Sequence, residues 1–598
     1  MHVVATAGHV DSGKSTLVRA LTGMEPDRWE EERRRGLTID LGYAWTTLAS
    51  GREVAFVDVP GHERFLGNML AGIGPAPVVC FVVAADEGWQ AQSGDHRDAV
   101  AALGIEHGVV VLSRADRASA REIGDVLAQT RRELAGTGLR DAPAVAVSAT
   151  EGSGLAEFRD ALDGVLAGVP SPTPTGRVRL WVDRSFTITG SGTVVTGTLG
   201  AGTLVQGDLL QLLGHGDPRP VVVRGLESRD ASYASVGPVS RVALNLRDVA
   251  AEDVRRGDAL VTPDAWPSTR VLGVRRTTGA PYTEVPEQLM VHVGTASVPA
   301  RLRPFGADHA RLVLDRTLPL VLGDRLVLRH PGSRSVLGGA RVLDADPPEL
   351  HRRGDGARWA ERLAHMDPAG DVLGEVAARG AVQEQHLRRL GLLSEEPGAA
   401  PAGIRVLREW WVHAPVLESW QQRLRTALEA LQESDPLTPG LSMGAARDLL
   451  TLPDERLLAH IVREAGLEQE GGRVRLPGGH GSLGAAESAV ADLERRLTAD
   501  PFRAPEADEL AALKLGAREL AAAERMGRVL RLRDGVVLLP TAPALAMRVL
   551  ARLEQPFTTS QARQALGTTR RIAVPLLEHL DSRGWTRRLD AGHRAVVR

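Results

Sequence analysis

Gly8-His9-Val10-Asp11-Ser12-Gly13-Lys14-Ser15 has the residue types and spacing of a phosphate-binding loop: glycine at both ends, lysine after the second glycine, then a hydroxyl. Glycines let the backbone curl into a nest whose N–H groups meet phosphate oxygens, and a helix starting there adds its partial positive charge. Lys14 can reach the outer phosphates, and the Ser15 hydroxyl suits Mg²⁺. The chain has two lysines, Lys14 and Lys514, so arginine supplies nearly all of its 72 basic residues. Lysine at position 14 therefore marks a need for a compact, flexible point charge.

Such groups need elements that end where the phosphates sit. Val3-Val4-Ala5-Thr6-Ala7 reads as a short buried strand leading into the loop, and Thr16 to Thr22 as the first turns of a helix. Residues 1–168 go on alternating apolar strands with helical patterns, which predicts a doubly wound α/β layer. Val54-Ala55-Phe56-Val57-Asp58 is a strand running into Val59-Pro60-Gly61-His62. An aspartate at that strand end can hold Mg²⁺ through water, and Gly61 frees the backbone to meet a γ-phosphate. Gly108 to Leu112 runs into Ser113-Arg114-Ala115-Asp116, and Ala144 to Val147 ends at Ser148-Ala149-Thr150.

Together, Gly8 to Thr16, Arg35-Gly36-Leu37-Thr38, Asp58 to His62, Asp116 and Ser148-Ala149 resemble the translational GTPases of the elongation factor Tu superfamily. The resemblance implies GTP and Mg²⁺ as cofactors. Gly8, His9, Val10, Asp11, Ser12, Gly13, Lys14, Ser15 and Thr16 would cradle the phosphates, joined by Asp58 and Gly61, with Arg114, Asp116, Ser148 and Ala149 at the base. Ser15, Thr38 and Asp58 would serve the metal. Thr38 would close on Mg²⁺ and the γ-phosphate, His62 would orient the attacking water, and Val10 and Leu37 would gate its approach, which makes His62, Lys14 and Thr38 the expected catalytic residues. One piece departs from the family: its Asn-Lys-x-Asp is Ser113-Arg114-Ala115-Asp116 here. Asp116 can still accept from the guanine ring N–H and amino group, and Arg114 can lie over the base. Loss of the asparagine is expected to weaken the tie to the phosphate loop, leaving guanine preference to Asp116 and Ser148.

The length of 598 residues suggests about four domains. A net charge of −3 implies no global attraction to polyanions, so any nucleic-acid surface must be local. Cys80 is the only cysteine, which excludes an internal disulfide and a multi-cysteine metal site; its apolar run Val78 to Val83 predicts a buried thiol. The N-terminus shows no basic flank followed by a long apolar segment, and no stretch approaches about 20 uncharged apolar residues. A soluble, cytoplasmic monomer without membrane contact is expected.

Gly168 to Gly176 is a proline-punctuated linker. Two successive β-barrels are expected after it, over 176–265 and 266–346, from β alternation, frequent glycine and the joint at Trp266-Pro267. The run Asp183 to Gly197 resembles the second domain of the same superfamily, and its opening Asp183-Arg184 resembles the selenocysteine-specific elongation factors (SelB type). In that branch the barrel faces the aminoacyl end of tRNA and must prefer selenocysteine over serine and cysteine. A selenol ionises below neutral pH, unlike a thiol or hydroxyl, so a positive pocket can select by charge. Arg184 and Arg247 are the candidates, with Asp183 orienting them.

The remaining residues are strongly helical, with a repeated ending. Gly466 to Pro477, Gly527 to Pro540 and Gly584 to Arg598 each read as helix stop, strand, turn and strand, the ending of a winged-helix module. A less clear earlier copy makes four: 368–415, 416–478, 479–540 and 541–598. Residues 541–598 hold ten arginines against four acids, net +6, whereas 370–540 are net −5. That contrast places a nucleic-acid footprint in the last module. Thr569 to Glu578 resembles the final module of the selenocysteine factors, which binds the mRNA hairpin marking a recoded UGA codon. Pro575 suits a first helical turn, which sets Arg570 and Arg571 near the helix start to meet phosphates or an exposed base, with Arg587 and Arg588 on the wing.

The expected protein is a GTP-dependent elongation factor with ribosome-stimulated GTPase activity. Its fold class is multidomain: an α/β P-loop domain, two β-barrels and a winged-helix array. Its expected partners are selenocysteinyl-tRNA, an mRNA hairpin and the ribosome. The alternatives are a GTP-switched RNA- or DNA-binding regulator that carries no tRNA, and a phosphate-loop kinase, which would leave His62, the barrels and the tail without purpose.

Overall fold

The computed structural model describes all residues except 27–37, 171, 191, 333–334, 368–369, 394–397, 478–482 and 598. Two compact units, Met1–Pro401 and Ala402–Arg598, divide the chain. The first begins with a six-stranded sheet of β1 (His2–Ala7), β2 (Gly42–Thr47), β3 (Glu53–Asp58), β4 (Val78–Ala84), β5 (His107–Ser113) and β6 (Ala144–Ala146), in the order β2-β3-β1-β4-β5-β6. Only β2 runs antiparallel to its neighbour. Side chains alternate between two cores: Val3, Ala5, Val79 and Phe81 face one, and Val4, Val78, Cys80 and Val82 the other. Burial on both faces is why these strands read as continuous apolar runs. It also pushes the Cys80 thiol up to about 12. The loops after β1, β3, β5 and β6 therefore gather at one sheet edge, beyond the strand C-termini, where doubly wound sheets bind ligands.

The first barrel is antiparallel, built on the strands Arg179–Ile188, Gly192–Leu199 and Ser240–Arg247; pairing of Leu209–Leu213 with Arg219–Ser228 brings the sheet round on itself. The second barrel is closed, with six strands between Thr269 and Asp344. Helices Asp355–His365, Val372–Arg379 and Glu384–Leu390 complete this unit.

The second unit begins with the hairpin Ile404–Leu407/Trp410–His413, so the boundary falls inside the first expected module, 368–415. Helices Ala414–Ser434, Met443–Leu450 and Arg456–Glu464 lead into the hairpin Glu468–Glu470/Arg473–Arg475. Helices Glu487–Ala499, Ala507–Ala512 and Ala517–Arg525 lead into Leu530–Arg531/Val537–Leu538, and Ala542–Leu550, Thr559–Ala565 and Arg570–Ser582 into Thr586–Arg588/His593–Val596. The last two modules share one core, running from Leu483 through Leu538 and Phe557 to Leu580. They bury their apolar faces jointly, an arrangement that sequence repeats do not disclose. Pro575 lies inside the helix that starts at Arg570, past the first turn where it was expected. No described helix is long and apolar enough to cross a membrane.

Candidate functional site

The loop after β1 closes on itself. Gly8 has φ 135° and a Cβ there would lie 2.1 Å from the Val82 carbonyl oxygen, so only glycine fits. Gly13 (φ 84°) turns the chain into the helix Lys14–Thr22. Lys14 is buried, and its Nζ donates to the carbonyls of Gly8 (3.1 Å) and His9 (2.6 Å), which stations the ammonium at the mouth of the loop. The end of β3 presses against the same loop: a Cβ at Gly61 would lie 2.5 Å from Val10 N and 2.6 Å from Lys14 Nζ. His62 follows, half-buried, its Nδ1 accepting from the Arg64 N–H at 3.1 Å and its ring 6.1 Å from that of Phe65.

Three hydroxyl- and carboxyl-bearing residues converge beside Lys14. Ser15 Oγ and Thr38 Oγ1 are 3.1 Å apart. Asp58 is buried, and its Oδ1 accepts from Thr6 Oγ1 at 2.7 Å while Oδ2 is buried with no hydrogen-bond partner. Burial pushes its pKa up, against the Ser15 and Thr6 hydroxyls and the Lys14 charge. A buried carboxylate oxygen left to itself is costly unless a cation serves it. Two hydroxyls and one carboxylate, all oxygen donors, fit Mg²⁺, which keeps waters and substrate phosphates as its other ligands. Arg35, Gly36 and Leu37 lie outside the described residues.

The cleft, about 560 Å³, runs from Gly13 and Lys14 to Asp116 and Ala149. Asp116 is exposed at its far end, and a hydrogen bond from Ser148 holds its carboxyl below the usual range. Ser148 is buried, its Oγ 3.1 Å from Thr150 Oγ1 and accepting from the Glu151 N–H at 3.2 Å. Loss of the asparagine does not leave the two loops unjoined: the Ser113 hydroxyl donates to the Ser12 carbonyl at 2.6 Å, and Arg114 donates to the Asp11 carbonyl. A serine at the end of β5 is close enough to tie the two loops directly. Arg114 lines the cleft, but Glu87 (2.6 Å) and Asp86 (3.4 Å) hold its guanidinium.

Two residues without a motif hold the loop from behind. On the helix Ala91–Leu103, Gln92 Oε1 accepts from the Val10 N–H at 3.2 Å and His96 Nδ1 from the Gly8 N–H at 3.1 Å. Spaced four apart, they share one helix face. Burial pushes His96 down to about 3, aided by Lys14, so the ring is a neutral acceptor.

On the first barrel, Asp183 is buried and accepts from Thr196 Oγ1 (2.6 Å) and Arg241 Nη2 (2.8 Å). The Arg241 guanidinium lies 3.9 Å from the Tyr43 ring centroid and that of Arg184 5.2 Å. Both arginines, Tyr43, Phe186 and Thr196 line a cleft of about 200 Å³. Arg247 does not join them. It is exposed at the other end of the strand Ser240–Arg247, six residues or about 20 Å along from Arg241. Strand periodicity alone could not say which arginine faces β2, because Tyr43 comes from another domain.

In the second unit Arg570 is exposed at the first position of its helix, and Arg587 and Arg588 are exposed on the wing. Arg571, the other residue expected to meet RNA, pairs with Glu506 at 3.1 Å and donates to the Ala504 and Pro505 carbonyls, each at 3.2 Å. It joins the last module to the one before.

Comparison with known proteins matches three families: "Elongation factor Tu GTP binding domain" over residues 1–167, "Selenocysteine-specific elongation factor, beta-barrel domain" over 276–349, and "Elongation factor SelB, winged helix" over 548–595. The selenocysteine-specific elongation factor of Escherichia coli (strain K12) is 33% identical over 622 residues, covering 99% of this chain and 98% of that protein. Its Haemophilus influenzae counterpart is 27% identical, with 99% and 98% covered. A crystal structure of a bacterial selenocysteine-specific elongation factor, EF-Sec, superposes with a TM-score of 0.76 over 100% of both chains at 24% identity, which shows a shared fold.

Proposed function

The chain belongs to the selenocysteine-specific elongation factors, GTP-binding translation factors related to elongation factor Tu, and from that premise we propose how its own residues perform GTP-dependent delivery of selenocysteinyl-tRNA. The match from end to end, tail included, carries the delivery function; a general elongation factor has no use for the winged-helix array.

Hydrolysis of GTP is assigned to the cleft beside Lys14. Lys14 and the loop N–H groups hold the phosphates, Gly61 meets the γ-phosphate through its N–H, and His62 orients the attacking water once the ribosome is engaged. Ser15, Thr38 and Asp58 would hold Mg²⁺, which would supply charge neutralisation for the phosphates. Asp116 reads guanine as an acceptor, with Ser148 fixing its carboxyl.

The selenocysteine side chain is assigned to the cleft of Tyr43, Arg184 and Arg241, with Asp183 behind it. Asp183 fixes Arg241 in one rotamer, and two guanidinium groups favour an ionised selenol over a neutral hydroxyl or thiol. The mRNA hairpin is assigned to the last module through Arg570, Arg587 and Arg588. The deciding experiment is to load the protein with a non-hydrolysable GTP analogue and measure binding of selenocysteinyl-, cysteinyl- and seryl-tRNA of the same tRNA body. Strong preference for the selenocysteinyl form is expected; equal binding of all three would remove the charge-selecting pocket.

A further inference from the structure

One guanidinium gathers three parts of the first unit. Arg256, in the turn before the strand Ala259–Val261, donates through Nε to the Asp183 carbonyl (2.9 Å), through Nη1 to Asn68 Oδ1 (2.6 Å) and through Nη2 to Asp40 Oδ1 (2.7 Å). Asn68 lies on the helix Leu66–Ile73, just past His62, and donates to the Ile39 carbonyl at 2.9 Å. Asp40 also takes Arg184 at 3.0 Å, and Arg184 donates to the Leu41 carbonyl. Thr38, two residues before Asp40, stands 3.1 Å from Ser15. The segment that touches the nucleotide cleft thus also holds both Arg184 and the backbone of Asp183.

We propose that Arg256 is a positioning residue through which Thr38–Leu41 and the helix after His62 set the aminoacyl cleft, so that the cleft's affinity for a selenocysteinyl end follows the bound nucleotide. The proposal rests on the functional reading above. A guanidinium presents five donors in a rigid fork, so its three bonds need all three partners in place together. Displacement of Asp40 removes one bond from Arg256 and the carboxylate from Arg184 in the same movement; displacement of Asn68 loosens both Arg256 and Ile39. A ligand shifts such an arrangement only by its differential affinity, and the coupling must be reciprocal. Occupancy of the aminoacyl cleft therefore retains GTP by the same factor by which GTP retains tRNA.

The experiment measures the dissociation constant for selenocysteinyl-tRNA with a GTP analogue and with GDP, in the full chain and in Arg256→Ala, Asp40→Asn and Asn68→Ala. The ratio of the two constants should contract on the order of tenfold in Arg256→Ala, within the usual range of couplings. Release of the GTP analogue from the tRNA complex should accelerate by the same factor, while its release without tRNA changes little. Adding Asn68→Ala to Arg256→Ala should cost less than Asn68→Ala costs in the wild-type chain, because the bond between the two side chains is already gone. Equal losses in both nucleotide states, with the ratio kept, would reduce Arg256 to a domain-joining residue and overturn the proposal. Asn68→Ala, which spares the guanidinium, separates the same two outcomes if Arg256→Ala fails to fold. A wild-type chain that does not prefer selenocysteinyl-tRNA in either state would instead overturn the functional reading, and the coupling with it.

Discussion

Ser113 donates its hydroxyl to the Ser12 carbonyl at 2.6 Å, joining the loop after β5 to the loop after β1. Ser113 is buried there and also reaches the Val83 carbonyl at 3.3 Å. Where the family carries an asparagine, the end of β5 brings the short Ser113 side chain within hydrogen-bond range of the neighbouring loop.

Ser113→Ala leaves the Ser12 carbonyl without that donor in a buried site, a loss worth about 1–3 kcal/mol. GTP and GDP affinity should fall by about tenfold or more in fluorescent-nucleotide titrations. Unchanged affinity would return the base loop's support to Arg114.

His62→Ala should bind GTP nearly as well as wild type and lose ribosome-stimulated hydrolysis by orders of magnitude, since positioning supplies most phosphoryl-transfer catalysis. Single-turnover phosphate release on programmed ribosomes is the measurement. Stimulated turnover near wild type would remove His62 from the chemistry.

Arg241→Ala should lower selenocysteinyl-tRNA affinity and leave seryl-tRNA affinity almost as it was. Arg247→Ala, about 20 Å along the same strand, should change neither. The opposite pattern would move the selecting charge to the exposed strand end.

Arg570→Ala should weaken binding of the mRNA hairpin and flatten its salt dependence by about 0.7–0.9 per lost phosphate contact. Arg571→Ala should mainly destabilise the docking of the last two modules, because its partners are Glu506 and the Ala504 and Pro505 carbonyls. Filter binding against salt, paired with thermal melts of the full chain, separates the two. Identical behaviour of both variants would contradict the split.

His96 carries a pH signature. A buried histidine held down to about 3 stays neutral in the folded chain and protonates on unfolding, so the unfolded state binds more protons below pH 6.5. Stability is full above that value and falls as pH drops toward about 3, with a slope approaching ~1.4 kcal/mol per pH unit. His96→Gln keeps a neutral acceptor for the Gly8 N–H and should show a shallower fall between about pH 6.5 and about pH 5.5, above most carboxylate titration. An unchanged slope would mean that the ring is not neutral in the folded chain.

The sequence by itself determined what is local. A phosphate loop is a run of eight residues whose glycines, lysine and serine act through backbone shape, so Gly8, Lys14 and Ser15 were legible from spacing. Asp58, Gly61 and His62 follow a strand whose apolar run fixes its end, and the two-sided burial of β4 is written in Val78 to Val83. The arginine excess of the last module was equally plain, because charge needs no fold to be counted. Tertiary structure decided everything that depends on which distant elements meet. Arg241 rather than Arg247 stands over Tyr43 because β2 of one domain packs across one end of a barrel strand in another. Arg571 meets Glu506 because the last two modules share a core. Gln92 and His96 reach the phosphate loop, and Arg256 reaches Asp40, across sequence separations of 82, 88 and 216 residues. A hydrogen bond is directional and short, so such partners are chosen only once the chain has closed on itself; until then each is one polar residue among many.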